Sequence, residues 1–266
     1  MSKPKVVLFL AAANALALAQ NPEPKLACED HGLRMHSLST YCQMKEQTLP
    51  ASKSVMVVNP GANGGITVKG WDRSDVLVRA RIEAAAPSDS EARDLASQIR
   101  VASGAGNIEA HGPSTDHDHS WTVTYEIFAP RNSDLDAKAY NGGIHMEDLR
   151  GKIRFDSTNG GITLRRLAGD VEGRTTNGGV TIELSGDRWD GGGLDVETTN
   201  GAVKLGVPAA YSAHIETMTT NGGIKTDMPV TVQGHFSNHD LSFNVGSGGA
   251  TIRAVTTNGG VKIYSL

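Results

Sequence analysis

Asn-Gly-Gly or Asn-Gly-Ala followed by a β-branched residue occurs seven times in this chain, at Asn63, Asn141, Asn159, Asn177, Asn200, Asn221 and Asn258. The residue three places on is Ile66, Ile144, Ile162, Val180, Val203, Ile224 or Val261, and four copies carry Thr-Thr directly before the Asn. A unit repeated in this way constrains the chain to stacked supersecondary pieces, each burying its apolar face against its neighbours. Asn and Gly both tolerate positive φ, so the pair reads as a point where the chain turns without a Cβ penalty. Stacked Asn and Thr side chains are expected to hydrogen-bond from one unit to the next.

With each Asn at zero, positions −6 and −4 hold Leu135/Ala137, Ile153/Phe155, Val171/Gly173, Leu194/Val196, Ile215/Thr217 and Ile252/Ala254. Position +5 holds Met146, Leu164, Ile182, Leu205, Thr226 and Ile263. From Leu135 onward the Asn-to-Asn spacings are 18, 18, 23, 21 and 37 residues, with Ser247-Gly248-Gly249 read as a degenerate copy inside the longest. Each period holds about two short strands and two turns. Two arrangements satisfy this parity. In a β-solenoid, −6, −4, +3 and +5 all face one core; in an antiparallel meander, −4 pairs opposite +5. The near-constant period and the repeated turn chemistry favour the β-solenoid, in a chain that is mostly β.

Ahead of the repeats, Lys3 and Lys5, an apolar run from Val6 to Leu18 and Ala17-Leu18-Ala19 read as a signal peptide over residues 1–19, with a mature start at Gln20. No later segment approaches the length of a membrane-spanning helix. Without the leader, 23 basic side chains face 29 acidic ones, a net charge of −6 with no long block of either sign. That balance argues against a nucleic-acid partner, which calls for a basic stripe, and against an anionic membrane surface.

Residues 20–50 read as a polar lead-in containing both cysteines, Cys28 and Cys42. In an oxidising compartment they are expected to form one disulfide. A zinc site recruiting His31 or His36 lacks a usual ligand spacing. Lipidation of Cys28 is disfavoured by Pro22, Pro24 and Lys25, which separate it from the apolar run.

Residues 51–266 read as a single β-repeat domain. Val55 and Val57 before Asn63, with Ile66 and Val68 after it, suggest two strands around a turn. Val76, Val78, Ala80 and Ile82 alternate with polar neighbours, as do Trp121, Val123, Tyr125 and Ile127. One helix is expected over 88–100, with Ser88 and Glu91 as a capping box and Ala92, Leu95, Ala96 and Ile99 on one face; Gly104 and Gly106 end it.

The run Thr-Thr-Asn-Gly-Gly-Val, the earlier Pro60-Gly61-Ala62-Asn63-Gly64-Gly65-Ile66 and the leader together resemble the bacterial DUF4097 family, described as adhesin-like. The resemblance covers most of residues 51–266. It implies a β-helix-like extracytoplasmic protein without an established enzymatic activity, and it brings no catalytic residue to this chain.

Two clusters invite chemistry. His111, Asp116, His117, Asp118 and His119 could present imidazoles and a carboxylate to a divalent metal, with His117 and His119 as weak candidates, but the segment reads first as a solvated loop. Asp187, Asp190 and Asp195 surround Trp189 in the 23-residue period, where a solvated insertion is expected. Nucleophile-elbow, phosphate-loop and dinucleotide motifs are missing from any strand-to-helix setting, as is the calcium-binding nonapeptide. Trp71, Trp121 and Trp189 are expected to be packed against strands rather than offered to sugars. The charged residues between core positions fall in no fixed column. These readings lead to an exported, non-catalytic protein without a cofactor, periplasmic or at the cell surface, serving adhesion or scaffolding, with a glycan or an envelope protein as partner. The alternatives are a carbohydrate-active lyase or hydrolase on the same fold, and an envelope-stress regulatory scaffold.

Overall fold

The computed structural model describes residues 26–28, 38–104, 106–228 and 237–266; the leader, Gln20, His31 and His36 lie outside them. The chain opens with β1 (Ser39–Pro50), β2 (Met56–Asn59), β3 (Ile66–Trp71), β4 (Asp75–Ala86) and helix α1 (Asp89–Gln98). A hairpin of β5 (Arg100–Gly104) and β6 (Asn107–His111) leads into β7 (Ser120–Pro130). Long and short strands then alternate: β8 (Leu135–Asn141), β9 (Ile144–Glu147), β10 (Arg150–Asn159), β11 (Ile162–Arg165), β12 (Ala168–Asn177) and β13 (Val180–Glu183). β14 (Gly193–Asn200), β15 (Val203–Val207), β16 (Ala213–Asn221) and β17 (Ile224–Thr226) continue the pattern, and β18 (Asp240–Val245), β19 (Thr251–Asn258) and β20 (Val261–Ser265) complete it.

These strands make two ten-stranded sheets. Sheet A runs β1-β4-β7-β3-β9-β11-β13-β15-β20-β17, and sheet B runs β5-β6-β2-β8-β10-β12-β14-β19-β16-β18. Each long strand from β8 onward ends at its Asn in sheet B, and the next short strand starts at +3 in sheet A. Pairing from β8 to β20 is parallel except for β16 with β18, so the repeats do not form the antiparallel meander. Positions −6, −4, +3 and +5 fill the space between the sheets. Ile153, Phe155, Ile162 and Leu164 are all buried, as are Val180, Val203 and Val261, while Ile224 on edge strand β17 is half-buried.

The seven Asn side chains form one column. Asn141 donates through Nδ2 to Oδ1 of Asn63, and the chain of amides continues through Asn159, Asn177, Asn200, Asn258 and Asn221 at 2.7–2.9 Å. The glycine after Asn is required for a reason other than positive φ. Gly64 alone of the seven has φ in that region, at 137°. A Cβ on Gly160, Gly178 or Gly201 would instead stand 2.1 Å from the carbonyl oxygen of the preceding corner's glycine, so the backbones themselves touch. Left-handed backbone occurs at the other end of the short strands, at Asp148 (φ 57°) and Arg166 (φ 50°).

The column is out of chain order at one end. β19 and β20, last in sequence, lie between β14–β15 and β16–β17. Ser247-Gly248-Gly249 is therefore not a copy of the corner. It belongs to the link that crosses the start of β16, where Ser247 N donates to Ser212 Oγ, and it returns the chain from antiparallel β18 to the vacant place beside β14.

At the opposite end, β1 pairs antiparallel with β4 along its whole length, so the lead-in contributes an edge strand. Cys28 and Cys42 are joined by a disulfide with Cα atoms 5.8 Å apart. Helix α1 packs on β4 and β1 and is capped by Ser88, whose Oγ accepts from Glu91 N. It ends at Gln98 because Ile99 is extended, and Gly104 and Gly106 instead lie at the turn of the following hairpin, where Gly104 pairs with Asn107. In β2 it is Met56 and Val58 that face the core, with Val55 exposed.

Candidate functional site

The outer face of sheet B is built by the residues that alternate with the core. Five places before each Asn stand Asp136, Arg154, Glu172, Asp195, Arg253 and Glu216 in stacking order; three places before stand Lys138, Asp156, Arg174, Glu197, Val255 and Met218. The charged positions thus do form columns, contrary to the reading from sequence, and neighbours are mostly of opposite sign. Arg174 Nε lies 2.9 Å from Asp156 Oδ2, Arg154 Nε 3.6 Å from Glu172 Oε2, and Arg253 Nη1 2.5 Å from Asp195 Oδ1 and 2.7 Å from Glu197 Oε1. Parallel strands about 4.8 Å apart set opposite charges side by side, which favours this register over any slipped one. The first of these columns, from Asp136 to Arg253, borders an open depression of about 1000 Å³ that also takes in Lys152, Asp170 and Val57, and Lys138, Asp156, Arg174 and Glu197 of the second border a smaller one beside it.

The acids of the long period do not converge. Asp190 pairs with Arg150, Asp195 with Arg253 and Asp187 with Arg188, so each carboxylate has a different guanidinium. Trp189 is buried beside them and donates from Nε1 to Gly169 O at 2.8 Å. Trp121 is likewise buried, and Trp71, half-buried, donates to Asp75 O.

His111, Asp116, His117, Asp118 and His119 do not assemble a metal site. Asp116 Oδ1 accepts from the backbone N–H groups of Asp118 and His119 and lies 3.1 Å from His119 Nδ1, closing an Asx-type turn. Those bonds stabilise the ionised carboxylate and hold Asp116 below its ordinary pKa. His111 faces Glu109, His117 is exposed, and among the described residues no three His, Cys, Asp or Glu side chains are grouped to hold a metal.

The outer face of sheet A has its own ionic layer near β4, β7 and β3. Glu126 and Glu147, both buried, are flanked by Arg79, Lys69 and Arg166 at 3.0–4.0 Å. Arg79 and Lys69 also lie over the Phe128 ring. Arg166 continues to Asp148, whose carboxyl it holds below the ordinary value. Buried carboxylates need such partners to remain ionised at low cost. This layer reads as structural.

The profile of the family described as Toastrack DUF4097 matches residues 62–264. The chain belongs to the DUF4097 family. No curated protein matches this Toastrack sequence. Among solved structures, a candidate cell adhesion protein from Clostridium sporogenes is similar over 84% of this chain and 100% of its own, at 12% identity and a TM-score of 0.45. A candidate adhesin from Bacteroides fragilis is similar over 85% and 97%, at 9% identity and a TM-score of 0.30. A candidate lipid-binding protein from Parabacteroides distasonis is similar over 84% and 96%, at 9% identity and a TM-score of 0.32.

Two features of this Toastrack chain escaped the sequence reading. The ionic columns were available as constant offsets from Asn, but unequal loop lengths hid them. The second is a hydrogen-bonded node on β16 and β18. His214 lies 2.8 Å through Nδ1 from Asn244 Oδ1, and its Nε2 is 3.2 Å from Ser242 Oγ and 3.1 Å from Glu216 Oε1. The antiparallel turn back of β18 brings these four together, and no sequence spacing announces it. Nε2 is shared between a hydroxyl and a carboxylate on an outward strand face, an arrangement that ties the edge strand down.

Proposed function

We infer that this chain is an exported, non-catalytic β-solenoid, cornered by its Asn-Gly-Gly repeats, that works as an adhesin-like surface, binding or scaffold module. Residues 1–19 act as the leader, 20–50 as the disulfide-closed entry and 51–266 as the repeat body, with the compartment periplasmic or extracellular. The observation that supports this most is the outer face of sheet B. It offers a broad charged depression in rigid parallel strands, and the carboxylates that tempt a catalytic assignment are each neutralised by a separate arginine. Catalysis would call for an acid, a base and a charge stabiliser converging on one point. Binding needs only a fixed, complementary surface. The partner is a glycan or an envelope protein.

The test is a glycan array together with an envelope-fraction pull-down, comparing the wild-type chain with the Arg154→Gln/Arg174→Gln pair. Specific capture that the double variant loses, at unchanged melting temperature, supports the reading. Hydrolysis or elimination of any captured glycan sinks it. The intact mass of the exported protein, measured with and without reductant, tests the start at Gln20 and the disulfide.

A further inference from the structure

The outer face of sheet A breaks its own charge rule at one place. One column there reads Lys69, Glu147, Arg165, Glu183 across β3, β9, β11 and β13, alternating in sign at every step. The adjacent column begins Glu46, Arg79, Glu126 with the same alternation. Farther along, that column passes through Thr67, His145, Thr163 and Thr181 and then places Lys204, Lys262 and Lys225 on β15, β20 and β17, directly opposite one another. On sheet B the only like-signed neighbours in the two columns, Glu172 and Asp195, each have an arginine on the other side. The lysines are differently placed: Thr181 is on one flank and the sheet edge on the other.

All three lysines are exposed. Among the described residues Lys262 has a single distant carboxylate, Asp227 Oδ2 at 3.9 Å, and Lys204 and Lys225 have no ion-pair partner. Like charges set directly opposite are destabilising, and a chain that alternates sign elsewhere departs from this locally where function requires it. The Tyr264 ring, half-buried, sits beside the row with Lys262 Nζ 5.9 Å from its centroid.

We propose that Lys204, Lys262 and Lys225, with Tyr264, form a binding row for an acidic, carboxylate-bearing polysaccharide lying across β15, β20 and β17. Ammonium groups repeating at about 4.8 Å suit a linear polymer with one carboxylate per sugar unit. The tyrosine supplies an apolar ring with a polar tip for a sugar face. Three lysines are too short a row for a duplex, whose affinity grows with the number of phosphates neutralised. A lipid surface calls for a larger basic patch or an added apolar anchor. The row lies on the sheet opposite the ionic depression and stands independently of the function proposed for that face.

The experiment titrates the full chain with polygalacturonate, with dextran, with phosphatidylglycerol vesicles and with a short DNA duplex. Polygalacturonate is expected to bind with strong salt dependence, and dextran not to bind. Lys204→Gln/Lys225→Gln/Lys262→Gln should weaken that binding roughly a hundredfold, at about a fivefold factor per lysine. Its melting temperature should stay the same or rise, because repulsion is relieved, and the triple arginine variant should retain binding. Arg154→Gln/Arg174→Gln on sheet B should leave polygalacturonate binding unchanged. No binding of polygalacturonate, equal binding by the triple glutamine variant, or tighter binding to vesicles or DNA overturns the proposal.

Discussion

Thr198 donates from Oγ1 to the carbonyl oxygen of Gly178 at 2.7 Å, tying the end of one buried strand to the corner of the neighbouring coil. The same bond recurs from Ser157 to Gly142, Thr175 to Gly160, Thr256 to Gly201 and Thr219 to Gly259. The first Thr of each Thr-Thr pair is thus a buried hydroxyl with a fixed acceptor, and the second faces solvent. Thr198→Val keeps the shape and deletes the bond, so it should destabilise by about 1–2 kcal/mol in urea unfolding. Thr199→Val, outside, should change little. Equal effects of the two would contradict the assigned roles.

The corner glycines divide in the same way. A Cβ at Gly178 would meet Gly160 O at 2.1 Å, whereas at Gly179 the nearest atom is Ala202 O at 3.3 Å, and the copy at Asn200 carries alanine in that second place. Gly178→Ala should cost on the order of 3 kcal/mol by overpacking backbone against backbone, or abolish folding, and Gly179→Ala less than about 1 kcal/mol. Thermal unfolding of the pair checks the order.

Tyr125 is fully buried on β7, and its hydroxyl has no hydrogen-bond partner among the described residues. Burial pushes the phenol pKa up, so the group stays neutral and merely desolvated. Tyr125→Phe removes that unmet hydroxyl. It should leave stability unchanged or raise it by up to about 1–2 kcal/mol. A marked loss would show that the hydroxyl is satisfied.

His145 gives a pH dependence with a definite sign. Its imidazole is half-buried, and burial holds its pKa below the ordinary 6.5 despite the nearby Glu147. The unfolded chain therefore takes up the proton before the folded chain does. The contribution is fully present above about pH 6.5 and is lost as pH falls below that toward the depressed folded value. His145→Gln should flatten the stability slope in that window and leave the more acidic one, where Asp148 titrates below its ordinary value, as it was.

The corner and the inward parity were legible because a strand alternates faces at every residue, so Ile162 and Leu164, fixed from Asn159, could only point one way. The place of the last coil was not legible. Asn221 and Asn258 carry the same motif, and nothing local states that β19 pairs with β14 and β16 together. Positive φ is not what holds glycine at the corner of Gly178; close backbone approach does, and it leaves no trace in sequence distinct from positive φ. β1 was hidden for another reason: its polar run lacks alternation, and its strand form comes from pairing with β4 beside the Cys28–Cys42 link.

Binding without turnover is tested most directly by titrating the intact chain with peptidoglycan and with acidic and neutral polysaccharides, and assaying the same samples for new reducing ends, unsaturated sugars and released peptides. The expected result is saturable binding to at least one of these polymers, sensitive to Arg174→Gln or to the lysine-row substitutions, with every polymer recovered intact. Product that accumulates with time and disappears on changing Asp190, His117 or Ser242 to Ala would contradict it.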